Sequence, residues 1–290
     1  MLNRRLLVSD ARHFDNQAQI NPYYTNSAVD VAKAIHEHES ICKLFEESGI
    51  EVVRVPSPPS SQDGVYAANW ALVHNGKAVL SRLPSARKTE EPYAKSVLDD
   101  MGFETIVLDS NLKFSGQGDA LRCGDRLFSG RGYRSDAAAQ SHAAAILGLN
   151  LIQLETIPLL DELGQPIINL ASGWADSFFY DIDIALSVIR EPTADTKGLI
   201  AYCPAAFTMD SIQTLESLTD LDRIIVSEQE ARQGFACNLV STGETVIMSE
   251  HAPELATELR SHGLNVKHPH NVSELLKGGG FIRCISLALD

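Results

Sequence analysis

The sequence predicts an α/β propeller, five units set around a pseudo-fivefold axis and forming one domain over residues 1–290. Three observations predict it. A hairpin–helix–strand pattern recurs along the chain. The two chain ends supply the one hairpin that the pattern otherwise lacks. A polar residue stands just before the first strand of every hairpin.

Taken in order, Arg5-Leu6-Leu7-Val8 reads as a strand, residues 29–48 as a helix, and Gly49 leads into the strand Glu51-Val52-Val53-Arg54-Val55. Residues 70–80 are a strand, an Asn-Gly turn and a second strand, the strongest short hairpin signal. A helix over 91–101 follows, and Gly102 leads into a strand over 104–108. Residues 120–128 repeat the hairpin, followed by an Ala-rich helix over 137–147, Gly148 and a strand over 149–152. A looser hairpin pairs 184–189 with 199–202, then a helix over 209–218 and a strand over 223–226. Residues 239–248 turn at Thr242-Gly243, ahead of a helix over 253–262, Gly263 and a strand over 264–266. The glycines sit where a helix C-cap favours a left-handed residue. The first unit's hairpin is assembled from residues 285–289 beside Arg5 to Val8, so the ring closes on itself.

Composition bounds the function. The chain is 44% hydrophobic and 21% charged, ordinary for a soluble globular protein. A formal net charge of -14 argues against nucleic-acid or anionic-membrane partners and suits a cationic small molecule. Five scattered cysteines (Cys42, Cys123, Cys203, Cys237, Cys284) argue against a disulfide framework or a structural zinc site. The N-terminus is too poor in apolar residues for a signal peptide, and no run approaches membrane-spanning length. These features predict a reduced, cytoplasmic, soluble protein; its oligomeric state stays open, a dimer being compatible.

The residues before the five inner strands are Asn69, Asp119, Asp183, Asn238 and Cys284. Rotational symmetry gathers them at one mouth of the axis. An Asp or Asn before a strand is commonly a turn residue. Asn238 is read that way, and Asn69 stays open between turn and site. Asp119, between Gly116-Gln117-Gly118 and an apolar strand, is read as facing a ligand. Cys284 follows Gly278-Gly279-Gly280 at the opening of an apolar strand, with Arg283 beside it to favour the thiolate. The plain alternative is a small cysteine packed in the core. Carboxylates grip a guanidinium or amidinium bidentately. The carbon of that cation is electrophilic enough for a thiolate to add, after which an amine leaves and water releases a urea-type product. The leaving amine needs a proton donor, usually His.

Several segments resemble the guanidine-modifying superfamily of amidinotransferases, arginine deiminases and dimethylarginine dimethylaminohydrolases. They are Ala68-Asn69-Trp70-Ala71-Leu72-Val73, residues 114–121 around Asp119, Gly132-Tyr133-Arg134-Ser135-Asp136, and Gly278 to Cys284. The resemblance covers essentially the whole chain and implies the pentein fold, the five-bladed α/β propeller. It implies that Cys284 is the nucleophile, that Asp119 holds the guanidinium, and that Arg134 helps bind a substrate carboxylate; a helix-entry surface role for Arg134 stays open. Two departures stand out. Phe114-Ser115-Gly116 replaces the family's Phe-Glu-Gly. Asp181-Ile182-Asp183 replaces its His-Leu-Asp, so Asp181 takes the place of the catalytic imidazole.

Three accounts follow from that exchange. Asp181 serves as acid and base, with burial and Asp183 raising its pKa; a histidine such as His268 or His270 stands in, although both read as solvent-facing; or the chain binds a ligand without turning it over. The expected function is a thiol-dependent hydrolase of a guanidino or amidino compound of the arginine or dimethylarginine type. Cys284, Asp181 and Asp119 form its catalytic set, and Asp183, Asn69, Arg134, Ser115 and Asp63 bind substrate. No metal or organic cofactor is expected. The alternatives are a non-catalytic binding or assembly protein on the same fold, and an amidinotransferase. The connection from Asp161 to Trp174 reads either as a lid over the mouth or as a surface crossing.

Overall fold

Polar turns between short apolar strands divide the chain into five three-stranded sheets in the computed structural model, which describes residues 2–25 and 27–290. In chain order the elements are Arg5–Ser9 (β1), Val31–Glu46 (α1), Glu51–Val55 (β2), Ala71–His74 (β3), Lys77–Leu80 (β4), Glu90–Asp100 (α2) and Glu104–Val107 (β5). Then come Ala120–Cys123 (β6), Arg126–Arg131 (β7), Ala137–Leu147 (α3), Asn150–Glu155 (β8), Leu186–Arg190 (β9), Gly198–Tyr202 (β10), Met209–Ser217 (α4) and Leu221–Ile225 (β11). The last are Glu228–Gln233 (α5), Val240–Ser241 (β12), Thr245–Ile247 (β13), Pro253–Ser261 (α6), Asn265–Lys267 (β14) and Ser286–Ala288 (β15).

Each sheet repeats one plan. An inner strand pairs antiparallel with a middle strand, and a helix carries the chain to an outer strand parallel to the middle one. Such a crossover is the usual solution for parallel neighbours. Burial follows position: β3 and β12 are nearly or wholly buried, whereas β2 and β5 alternate between half-buried and exposed. Inner strands also pack on one another, β15 against β3, β6 against β9 and β9 against β12. The Asn75-Gly76 turn has φ of 49° and 75°, the left-handed pair that a tight hairpin needs.

The fifth sheet is closed by the chain ends as expected, Leu7 pairing with Leu287 across β1 and β15. One helix was not expected. α5 starts at Ser227, whose side chain accepts the Glu230 N–H; Ser227-Glu228-Gln229-Glu230 is a capping-box pattern that the strand periodicity masked.

The inner strands begin later than the sequence suggests. Trp70 lies in a 3₁₀ turn over Ala67–Trp70, and Ile184 ends another over Ile182–Ile184. Cys284 does not open its strand. The Ile285 N–H bonds to Phe281 O at 3.1 Å and the Ser286 N–H to Arg283 O at 3.1 Å, which closes a turn through Cys284 and delays β15 to Ser286.

The 161–174 connection folds back as an open hairpin, with bridges Leu160–Pro166 and Ile168–Ala175. Asn169 Nδ2 donates to Gln19 O at 3.0 Å, next to Ile20, which lines the cavity at Cys284, but no residue of 161–174 lines that cavity.

If the ends are integral to the ring, Leu7→Ala should cost about 2–5 kcal/mol in urea unfolding, like Leu72→Ala in an internal sheet. Both leucines are fully buried. A cost well under 1 kcal/mol for Leu7→Ala would show frayed ends.

Candidate active site

The turns before the inner strands meet around the Cys284 sulfur. Asn238 Oδ1 accepts the backbone N–H groups of Phe281, Arg283 and Cys284 at 3.2, 3.0 and 3.2 Å. Its Nδ2 points at Cys284 Sγ, 3.0 Å away. Asn238 is therefore the turn residue the sequence suggests and also a neighbour of the thiol. On the other side, the thiol donates to Asp183 Oδ2 at 3.3 Å.

A second pinned amide lies opposite. Asn69 Nδ2 faces Asp181 Oδ2 at 2.8 Å and Ser115 Oγ at 2.9 Å, while its Oδ1 accepts from Arg87 Nη1 at 2.8 Å. Arg87 is buried against Glu90, with contacts of 2.8 and 2.6 Å, and also reaches the carbonyls of Asp63 and Tyr66. A Cβ on Gly118 would lie 2.3 Å from Asn69 Nδ2 and 2.7 Å from Asp181 Oδ2, so only glycine lets these groups meet. The glycine-rich turn before Cys284 is clamped in turn. Tyr66 and Tyr180 hydroxyls donate to Leu275 O and Gly279 O at 2.6 and 2.7 Å, and Asn21 Nδ2 donates to Gly278 O at 2.9 Å.

Of the eight candidate site residues, Cys284, Asn69, Arg134 and Asp63 line a narrow cavity together with Ile20 and Tyr24. Asp181, Asp183, Asp119 and Ser115 are buried just behind its wall. Asp119 turns away from the cavity: its Oδ1 accepts the Ile182 N–H at 3.1 Å, and it bonds Ser135. It braces the Asp181–Asp183 turn instead of facing a ligand directly. Arg134 Nη2 donates to Ile20 O at 2.8 Å and its guanidinium lies 4.5 Å from the Tyr180 ring centre. Among the described residues it has no ion-pair partner.

Two atoms stand out. Asp181 Oδ1 and Asp183 Oδ1 are buried and have no hydrogen-bond partner among the described residues. A buried carboxylate oxygen without a donor costs free energy, so each is a vacancy for an N–H group. Burial, followed by repulsion from Asp181, pushes Asp119 and Asp183 well above the usual carboxylate range. Asp181 also rises through burial, opposed by Arg134, Asn69 and Ser115. Asp63, bonded to the Tyr24 hydroxyl, is raised by burial to about 6.

The same physics corrects the expectation for Cys284. Burial, then Asp183 and Asp181, hold its thiol well above the ordinary range. Arg283 does not reverse this, because its side chain turns to the opposite face, where Nη2 donates to Gln117 Oε1 at 2.9 Å. Histidine does not line the cavity among the described residues. His268 follows β14 and His270 pairs with Glu250 at 2.9 Å on the surface, so neither stands near Cys284. The sequence reading missed Arg87, Tyr66 and Tyr180; Arg87-x-x-Glu90 was the only local signal among them, an i,i+3 pair at a helix start.

Comparison with known proteins fits this geometry. A family model for eukaryotic N,N-dimethylarginine dimethylhydrolase matches residues 6–155. The chain is 30% identical over 288 residues to the N(G),N(G)-dimethylarginine dimethylaminohydrolase of Mycobacterium tuberculosis, covering 99% of this chain and 86% of that protein. It belongs to the dimethylarginine dimethylaminohydrolase family. It is also 28% identical to the bifunctional arginine dihydrolase/ornithine cyclodeaminase ArgZ of a Synechocystis strain, covering 98% of this chain but 37% of that longer protein. Crystal structures of the N-terminal domain of ArgZ, one bound to product and one covalently bound to a reaction intermediate, superpose with a TM-score of 0.84. The match covers 99% of this chain and 97% of that domain at 28% identity.

With the site empty, Cys284 should alkylate slowly with neutral iodoacetamide at pH 7, and its rate should climb with pH beyond the ordinary thiol range of about 8.5. Peptide mapping by mass spectrometry reads the site. A labelling pKa below 7 would contradict the burial argument.

Proposed function

We propose that the protein hydrolyses a C–N bond in the guanidino group of an arginine-type compound, methylated or not, through a covalent Cys284 intermediate. The observation that carries this is the pair of unpartnered oxygens, Asp181 Oδ1 and Asp183 Oδ1, buried beside the thiol. Only a ligand rich in N–H donors and positive charge answers both vacancies. Membership of the family supports the reading, as does the ArgZ domain caught with an intermediate.

A guanidinium held by these carboxylates brings a positive charge against the sulfur, which favours the thiolate that the empty site suppresses. The S–H proton passes to Asp183 Oδ2, the one carboxylate oxygen in contact with it. The thiolate adds to the guanidinium carbon, and the proton moves to the leaving nitrogen as the C–N bond breaks, which leaves a thiouronium on Cys284. Water then adds to that carbon, giving its proton to Asp181 or Asp183. The C–S bond breaks, the ureido product departs and the thiol is restored. Asp181, in the family's histidine position, thus holds the cation with Oδ1 while Asn69 fixes Oδ2. Asp183 takes the proton role that the imidazole would fill. Arg134, lacking an acidic partner, receives the substrate carboxylate, and Asp63 with Tyr24 closes the opposite wall.

The finer architecture belongs to the same reading: the five sheets are blades about a pseudo-fivefold axis, with the site at one mouth. All five thiols are free, which fits a reducing, cytoplasmic setting. The exchange of histidine for Asp181 is the observation that favours a non-catalytic binder instead.

The deciding assay is ureido-product formation from arginine, methylated arginines and agmatine. Cys284→Ser should abolish product, and Asp183→Asn should lower kcat by roughly 10²–10⁴. Arg134→Gln should raise KM for arginine and leave that for agmatine, which lacks the carboxylate, unchanged. A Cys284→Ser variant as active as wild type sinks the covalent route. Tight binding of a substrate without product makes the protein a binder.

A further inference from the structure

A second, small cavity lies among the inner strands on the far side of the turn that carries Cys284. Its charged side chains are Arg122, Arg283 and Asp290. Two of these are already answered. Arg122 pairs with Glu191 at 3.0 Å, and Asp290 Oδ2 accepts the Arg4 N–H at 2.7 Å. Arg283 is not. It is only 8% exposed, and its partners are two neutral amides, Gln117 Oε1 at 2.9 Å and Asn3 Oδ1 at 3.5 Å. Among the described residues no carboxylate lies within ion-pair distance of it. Gln117 cannot swing away to make room for a different arrangement. Its Oε1 also accepts the Ala288 N–H at 2.8 Å, and its Nε2 donates to Ala288 O at 2.9 Å.

A guanidinium carries five N–H donors in a fixed fork. Leaving its charge uncompensated away from bulk water is costly, and such groups are normally paired. We propose that this cavity binds a small oxyanion, of the size of inorganic phosphate, with Arg283 as its principal ligand and Arg122 as the second cation of the wall. The anion meets the Arg283 fork bidentately, and the acidic site on the other face stays closed to it.

The site is coupled to the thiol through one residue. Cys284 and Arg283 are adjacent, and Asn238 Oδ1 holds both of their N–H groups. The Arg283 charge favours the anionic form of Asp183 from behind. A bound anion cancels that field, so occupancy of the far cavity lowers turnover without competing with the cationic substrate. This last consequence rests on the hydrolase reading; the binding itself does not.

The test is a calorimetric titration of inorganic phosphate into the full chain. Wild type and Cys284→Ser should both bind one phosphate saturably, and Arg283→Gln should bind at least tenfold more weakly, with Arg283→Lys between. If Arg283→Gln fails to fold, Arg122→Gln should still weaken binding several-fold. No saturable binding to wild type overturns the proposal, as does unchanged affinity in Arg283→Gln, or in Arg122→Gln should Arg283→Gln not fold. Saturable phosphate binding by a wild type that forms no product from any assayed substrate would keep the anion site and discard the hydrolase.

Discussion

Three carboxylates and a thiol are buried together at the ends of neighbouring turns, and the rest of the molecule is arranged around that conflict. Asp119, Asp181 and Asp183 each resist ionisation because they are buried away from water, and Asp119 and Asp183 also because Asp181 repels their charge. Such a cluster collapses or protonates unless neutral donors and distant cations hold it open. Asn69 and Asn238 supply the donors, one on Asp181 and one on the sulfur. Arg87, itself neutralised by Glu90, fixes Asn69 from outside. The glycines at 118, 130 and 280 give the room, since a Cβ at any of them would strike Asn69, Asp119 or Tyr66.

That conflict also orders the chemistry. Without a ligand the proton belongs to the thiol, which donates to Asp183 Oδ2, while Asp181 Oδ1 and Asp183 Oδ1 lack donors among the described residues. A cation resolves both problems at once, by pairing with the carboxylates and by lowering the cost of a thiolate. On the proposed reading, the nucleophile is made by its substrate and not stored in advance. This is a sensible property for a cysteine held behind a roof of Ile20 and Tyr24, since unselective reagents find an inert thiol.

Much of this was legible in the residues. Period-two strands, Asn-Gly and Gly-containing turns, and helices ending in glycine mark the five sheets, and closure by the chain ends follows from counting strands. The ring of Asn69, Asp119, Asp183, Asn238 and Cys284 was legible for the same reason, because equivalent positions of a repeat share one environment. What stayed hidden depends on side-chain direction. Arg283 immediately precedes Cys284 in sequence but faces the opposite cavity, so adjacency misjudged its effect on the thiol. Asp119 looks poised among glycines, yet its oxygen is taken by the Ile182 N–H. Asn238 reads as a turn residue because it is one; the contact with sulfur comes from the Nδ2 end of the same side-chain amide. Arg87 ends a short 3₁₀ turn before α2, with no repeat equivalent to flag it.

The central claim is that a guanidinium turns this buried thiol into a nucleophile without a histidine. Rapid acid quench of wild-type protein with arginine or a methylated arginine, followed by intact-mass and peptide analysis, tests it most directly. The account predicts a thiouronium adduct on the peptide bearing Cys284, formed at neutral pH and lost in Asp183→Asn. Ureido product released with no adduct at any quench time, or an adduct formed as fast in Asp183→Asn, would contradict it.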